Sequence, residues 1–374
     1  MFRIAASMLL HNRARFASTV AGMSLAFFIT VAQIGLLVGW CNTTSAVVRN
    51  AGVDLWVMAR ETVAFDYGIA IPRHRVQQVR SVEGVEWAEA LLMSWVFWRR
   101  PDGRSMSIEM VGLDDGLIGG PWQMSEGAVA DVYRPDAVII DDLYCSALGV
   151  AGVGDEVEIL GSKAVIRGVS HGVRTFTAAP FVFTSIETAY NYEPYYRRDQ
   201  VTYVLVRCQA GDDPQRVRAE ILRAVPAVDV LTTREFAGRT IRFWMLETGA
   251  GITVVITAVL GLMVGTMINS QTLFAITNDH RKDYATLLAV GFGRLWLASA
   301  VVLQSALLGV LSTLGGSALF AVAAHYLSQT PVPLELTPNV FVGTAVAAFG
   351  CSLAAALLSV RSVLRIDPVS VFQA

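Results

Sequence analysis

Charge is missing from four long windows of this chain, and that pattern constrains the fold more than any motif. No Asp, Glu, Lys or Arg lies between Arg15 and Arg49, between Glu247 and Asp279, between Arg294 and Glu335, or between Glu335 and Arg361. Each window holds an apolar run long enough for a membrane-crossing helix, which needs ~20 residues at 1.5 Å rise. The stretch between the first window and the second is mixed in character. The expected fold class is therefore a membrane protein, α-helical with four transmembrane helices (1 + 3) and an inserted α+β extracytoplasmic domain. A domain held to a membrane at both ends is well placed to receive motion through it.

The expected division follows. Residues 1–48 are a cytoplasmic N-terminus and the first span, and 49–243 are the extracytoplasmic, periplasmic domain ending in a stalk helix. Residues 244–374 are spans 2–4, with a cytoplasmic coupling loop at 278–294 and a cytoplasmic tail at 361–374. The apolar run 16–40 exceeds the 7–15-residue core of a signal peptide, so the first span is read as retained. Arg3, Arg13 and Arg15 precede span 1, Arg281, Lys282 and Arg294 separate spans 2 and 3, and Arg361 and Arg365 follow span 4. Basic clusters mark the cytoplasmic side, which puts both termini there.

Composition agrees. Charged residues make up 16% of the chain and hydrophobic ones 54%, against about 25% and roughly 45–50% in soluble domains. The net charge of -2 carries no basic excess of the kind nucleic acid requires. Cys41 and Cys351 fall at or in spans, while Cys145 and Cys208 fall in the inserted domain, where an oxidising compartment permits a bridge between them but two unpaired thiols are expected.

Within the domain, 55–58 reads as a strand and Pro72 as the first turn of a helix to Val79. Strands at 85–98 and 106–111 pair across Pro101, Asp102 and Gly103. Further strands are expected at 137–140, 156–160, 164–169, 181–183, 201–206 and 228–231. Helices are expected at 142–148 and 214–224, and from a Thr184/Glu187 capping box to Tyr190. Hairpin-like neighbours favour an α+β sheet with helices on one face. A second capping box, Thr232 with Glu235, opens a helix that nothing breaks before Gly249. With Arg234, Glu235, Arg239, Arg242 and Glu247 along it, this helix is read as a rigid stalk running directly into span 2.

Gly35 and Gly39 in span 1, and Gly261 and Gly265 in span 2, form GxxxG patterns. Such patterns allow helices to pack closely, here spans 1 and 2 on each other or across a dimer; Gly is also simply common in membrane helices. Gln33, Asn269, Gln271 and Gln304 are expected to hydrogen-bond between helices, and His325 to sit at the interface. The absence of ionisable residues inside the spans disfavours an ion-driven carrier. Between spans 2 and 3, Asn278 can cap and Asp279 suits a helix N-terminus. Arg281, Lys282 and Asp283 then precede an apolar face of Tyr284, Leu287 and Leu288, and Gly291 ends the helix. That face needs a partner, or lies on lipid. His74, His171, Asp141, Asp142 and Asp155 are scattered without metal or nucleophile spacing, so no catalytic, cofactor or metal site is expected. No G-x-x-x-x-G-K-[ST] occurs, so no P-loop binds nucleotide.

The run RKDYATLLAVG at 281–291 resembles the cytoplasmic coupling segment of FtsX-like or MacB-type ABC transporter permeases, with Asp283 where the family usually has Glu. LRIDPVSVF at 364–372 resembles that family's ending, and 138–157 and 201–236 resemble parts of its outer domain. The order of elements resembles the DevC and LolC permeases, which lack a fused ATPase. The resemblance implies the permease subunit of a mechanotransmitting ABC exporter, moving a hydrophobic or amphiphilic substrate. It implies ABC ATPase subunits that carry ATP and magnesium, a second copy of the chain as a homodimer, a periplasmic adaptor and membrane lipid as partners, with no nucleic acid. It places the chain in a bacterial inner membrane. An FtsX-like activator of an extracytoplasmic cell-wall hydrolase is the alternative.

Overall fold

The computed structural model describes residues 7–9, 13–327, 330–335 and 337–364. Arg3, Arg365 and the rest of the basic ending lie outside the described residues. The chain divides into two compact units. One comprises Met1–Gly39, Ile252–Ser328 and Leu334–Ala374, and the other Trp40–Gly251 with Gln329–Pro333.

In chain order, α1 (Arg13–Thr44) and α2 (Ala46–Asn50) precede β1 (Leu55–Ala59), β2 (Ile71–Pro72) and α3 (Arg75–Arg80). The long hairpin β3 (Val85–Arg99) and β4 (Ser105–Leu113) follows, then β5 (Met124–Glu126), β6 (Ala137–Asp141) and α4 (Cys145–Leu148). Next are β7 (Glu156–Ile159), β8 (Ser162–Ser170), β9 (Phe181–Ser185), α5 (Ile186–Tyr192), β10 (Gln200–Val201), β11 (Tyr203–Cys208), α6 (Pro214–Ala224) and β12 (Val228–Thr232). Helix α7 (Thr233–Arg242) continues as a π-helical turn, Phe243–Glu247. Then come α8 (Ala250–Asp279), α9 (Arg281–Ala289), α10 (Arg294–Leu327) and α11 (Pro338–Leu364).

Four helices among the described residues are long and apolar enough to cross a membrane: Arg13–Thr44, Ala250–Asp279, Arg294–Leu327 and Pro338–Leu357. Charge is confined to their ends (Arg13, Arg15, Asp279, Arg294) because a bilayer core cannot solvate it, and they are helical because each backbone amide must be satisfied within its own segment. In their unit, α1 and α8 run antiparallel as a ladder. Thr19 and Thr272 share a hydrogen bond of 3.0 Å, Gly22 faces Ile268, Gly265 faces Ala26, and Gly261 faces Thr30.

The inserted unit is built on one ten-stranded sheet in the order β12-β1-β11-β3-β4-β9-β6-β8-β5, with β7 bridging β3 and β8. Most pairs are antiparallel, but β4 with β9 and β6 with β8 are parallel. Both faces are buried, which explains the unbroken apolar run at 55–58. Leu55 and Val57 join a core with α3, α4, α5 and α6, while Trp56 and Met58 join a second with α2 and α7. Helices therefore cover both faces rather than the single face expected.

Two local expectations are corrected. Pro72 does not open a helix: it pairs with Gln200 on a two-stranded edge, where a missing N–H costs nothing. Arg73 N–H holds that extended backbone to the Asp199 carbonyl at 2.7 Å. The cap of α5 is Ser185, whose hydroxyl accepts the Thr188 N–H at 3.2 Å. Thr184 instead donates to the Ala137 carbonyl at 2.7 Å, and Glu187 pairs with Arg73.

Candidate coupling site

The turn between α8 and α10 is the most patterned surface of the membrane unit. Asn278 does not cap it, because α8 runs through that residue to Asp279. His280 occupies the N-cap position of α9, and its ring nitrogen lies 2.7 Å from the Asp283 carboxylate. Asp279 pairs with Arg15 of α1. At the other end, Gly291 N–H donates to Leu288 O and Phe292 N–H to Leu287 O, with Gly291 at φ +104°. That left-handed closure is open to glycine at little cost.

The apolar stripe turns inward, not outward. Tyr284 and Ala285 are fully buried against Met8, Leu297 and Val301, and Leu287 and Leu288 are half-buried on the same cluster. Burial pushes the Tyr284 hydroxyl up to about 12. Tyr284, Leu287 and Leu288 are thus the anchor of α9 to its own chain. Arg281, Lys282, Asp283 and Thr286 remain outward and exposed. Beyond the helix, Val290 is 73% and Leu295 82% exposed. These two are not singled out by the sequence, where Val290 closes the run 287–290 and Leu295 opens the run 295–297 and nothing sets either apart.

Behind this turn a polar network joins three helices. Asn269 of α8 donates to Ser305 Oγ of α10 at 3.1 Å and to Ser352 of α11 at its hydroxyl (2.8 Å) and its carbonyl (3.0 Å). Asn269 was expected to do this; Ser305 and Ser352 were not. Gln304 is buried in α10 and Gln271 is exposed on α8. The glycines separate in role. A Cβ on Gly261 would meet Thr30 Oγ1 at 2.7 Å, and one on Gly265 would meet Ala26 Cβ at 3.1 Å. Both are therefore spent inside the chain, against α1. Gly35 is close to the Glu335 carbonyl, 3.2 Å from a built Cβ, and Gly39 is buried.

In the inserted unit, the Thr232/Glu235 capping box forms as expected. The Thr232 backbone N–H holds the Glu235 carboxyl below its usual range, helped by Arg218. The expected stalk, however, is no free rod. Phe236, Ala237 and Thr240 are buried on the sheet, and Arg239 pairs with Asp229 at 2.7 Å. Arg234, Arg242 and Glu247 are exposed. The helix widens into the π-helical turn, and Gly249 at φ +78° separates it from α8. One continuous rod into span 2 is thereby corrected, since a left-handed residue ends a helix.

The remaining polar candidates are engaged locally. His171 lies 2.7 Å from Asp142, Asp141 accepts from Ser170 and Val173, and Asp155 accepts from Ala151 N–H. All four cysteines are free, and burial raises the Cys208 thiol to about 11.

One helix long and apolar enough to cross a membrane, an inserted mixed sheet and three further such helices make up the described residues. The MacB-like periplasmic core domain matches residues 16–224, more than half of the chain, and the FtsX-like permease C-terminal domain matches residues 243–368. The chain belongs to the MacB/FtsX family of ABC permeases, multi-pass membrane proteins with a periplasmic-type domain. FtsX-like permeases are typically non-catalytic transmembrane subunits and generally pair with ABC ATPases. Among solved structures, the extracellular domain of the noncanonic ABC-type transporter YknZ from Gram-positive bacteria is similar at 14% identity. It aligns over 48% of this chain and 98% of its own, with a TM-score of 0.36. The periplasmic region of MacB from Actinobacillus actinomycetemcomitans aligns at 10% identity over 50% and 92%, with a TM-score of 0.40. A domain of a putative permease from Porphyromonas gingivalis aligns at 14% identity over 48% and 88%, with a TM-score of 0.33. No curated protein matches the chain in sequence.

Proposed function

We propose that this chain is the permease subunit of a mechanotransmitting ABC exporter, driven by a separate ATPase that binds ATP and magnesium. The observation that carries the reading is the two-sided helix α9. Its inner face is locked to the membrane unit by Tyr284 and Ala285, and its outer face offers Arg281, Lys282 and Asp283 with Val290 and Leu295 close by. A helix fixed on one side and open on the other can pass a push from a docked subunit into α8 and α10. The basic residues Arg13, Arg15, Arg281, Lys282, Arg294 and Arg361 support a cytoplasmic turn and termini, with the inserted domain in the periplasm of a bacterial inner membrane.

Two copies would form the working unit. Because Gly261 and Gly265 already pack on α1, the contact between copies falls elsewhere on the apolar helices. The cargo is a hydrophobic or amphiphilic molecule received at the periplasmic domain, with an adaptor there.

The test is purification of the full chain from its native membrane, with identification of the ATPase that accompanies it. Placing Asp at both Val290 and Leu295 puts charge into an apolar contact, a cost of several kcal/mol when unpaired. The double variant is expected to fold normally and lose the ATPase. An ATPase retained at the wild-type ratio would sink the docking assignment.

A further inference from the structure

A pair of carboxyls is buried in the inserted domain where nothing in the permease reading uses them. Glu109 on β4 is fully buried, and Asp66, in the 3-10 turn Phe65–Tyr67, is 5% exposed. Trp95, the cross-strand partner of Glu109, donates its indole N–H to the Asp66 carbonyl at 2.7 Å and brings the two acids together. Two carboxylates have only acceptors, so any bond between these two requires a proton. The other atoms reach outward. Glu109 Oε1 accepts from Thr177 Oγ1 at 2.5 Å and Thr175 Oγ1 at 3.3 Å, and its buried Oε2 receives no donor. Asp66 Oδ2 accepts the indole N–H of Trp244 at 2.6 Å.

Trp244 belongs to the π-helical turn that precedes α8. Phe176, inside the threonine loop, packs 5.1 Å from Trp244 and 5.1 Å from Trp40, in the last turns of α1. One carboxyl pair therefore ties to the sheet both chain segments that connect it to the apolar helices.

We propose that Asp66 and Glu109 share a single proton and act as a latch: with the proton present, Trp244 and the 175–177 loop are held on the sheet, and without it two adjacent buried charges drive them off. The reading stands on the geometry of this domain and is independent of the ATPase docking surface. The charged and titratable neighbours do not replace that proton. Tyr203 of β11 donates its hydroxyl to the Ala64 and Phe65 carbonyls, and the Tyr144 hydroxyl accepts the Thr175 N–H at 3.0 Å. Arg174 and Asp141 act on Tyr144, and burial keeps both tyrosines protonated into the alkaline range.

Burial pushes Glu109 well above the carboxylate range, with the Asp66 charge adding to it, and burial raises Asp66 as well. A raised folded value means that the latch is complete below the ordinary carboxylate range. Its contribution is lost as pH climbs through the raised value.

The experiment uses the full chain in lipid nanodiscs. Infrared spectra of the wild type near neutral pH are expected to show a protonated-carboxyl band that Glu109→Gln removes. Hydrogen exchange in peptides spanning 171–180 and 240–249 is followed from about pH 6 to about pH 9, corrected for intrinsic rates. Protection is expected to fall about tenfold per pH unit above the pair's ionisation. In Glu109→Gln, whose amide donates to Asp66 at every pH, protection should stay flat. If that variant does not fold, Asp66→Asn supplies the comparison. A wild type with no carboxyl band, wild-type protection that is flat with pH, or an equal loss in the variant would overturn the latch.

Discussion

Asn269 on α8 donates to both the hydroxyl and the carbonyl of Ser352 on α11, bridging two helices far apart in sequence inside an apolar unit. Replacing Asn269 by Leu should destabilise the unit by about 1 kcal/mol, the scale of interhelical hydrogen bonds in membranes. A double-mutant cycle with Ser352→Ala, read by unfolding in mixed micelles, should give a coupling of about 0.6 kcal/mol. Strict additivity would show that the bond contributes nothing.

Close approach of α1 and α8 rests on Gly261. Gly261→Val places a branched side chain where Thr30 Oγ1 already lies 2.7 Å from a Cβ, and should cost about 1–3 kcal/mol by overpacking. Gly343→Val on α11 is the control, since no atom lies within 4 Å of its built Cβ. Equal melting temperatures for the two variants would remove the packing argument.

Tyr284 and Val290 should separate anchoring from docking. Tyr284→Ala empties a fully buried site and should lower stability by about 3–5 kcal/mol, as large aromatic truncations do. Val290→Asp should leave stability within about 0.5 kcal/mol because the site is exposed, yet weaken ATPase binding. Thermal melts beside pull-downs decide it; the reverse pattern would mean that the two faces of α9 have been assigned the wrong way round.

Two carboxyl sites with opposite shifts should shape the pH response of the inserted domain. Glu235 is held below its usual range, so its contribution is present above the ordinary carboxylate value and fades as pH falls through the lowered one. The Asp66–Glu109 pair is raised and behaves in the reverse sense. Circular-dichroism melts across pH should show a maximum between the two. Glu109→Gln should abolish the alkaline fall, and Glu235→Gln should flatten the acid side by less, because it faces solvent.

The features legible in the sequence were those set by neighbours along the chain. Absence of charge marks α1, α8, α10 and α11 without any tertiary knowledge, and the Thr232/Glu235 box is complete within one helical turn. What failed needed a partner from afar. The stripe of Tyr284, Leu287 and Leu288 announces an apolar face, but periodicity does not say whether Leu297 of the same chain or another protein covers it. Pro72 reads as a helix start until Gln200 arrives to pair with it. Asp66 and Glu109 look like ordinary surface acids, and only the closure of β4, the threonine loop and the π-helical turn removes them from water.

The wide turn at Phe243–Glu247 also fixes an angular phase. Its bond from Thr248 N–H to the Phe243 carbonyl, 3.1 Å long, spans one residue more than an α-helical bond does. That surplus residue carries Trp244 to Asp66, whose Oδ2 accepts the indole N–H at 2.6 Å. Deleting Leu246 would restore ordinary winding, leave Trp244 in place, and turn Thr248 by ~100° about the axis of that turn. The reach of one indole to one buried acid is thus written in a single residue of excess.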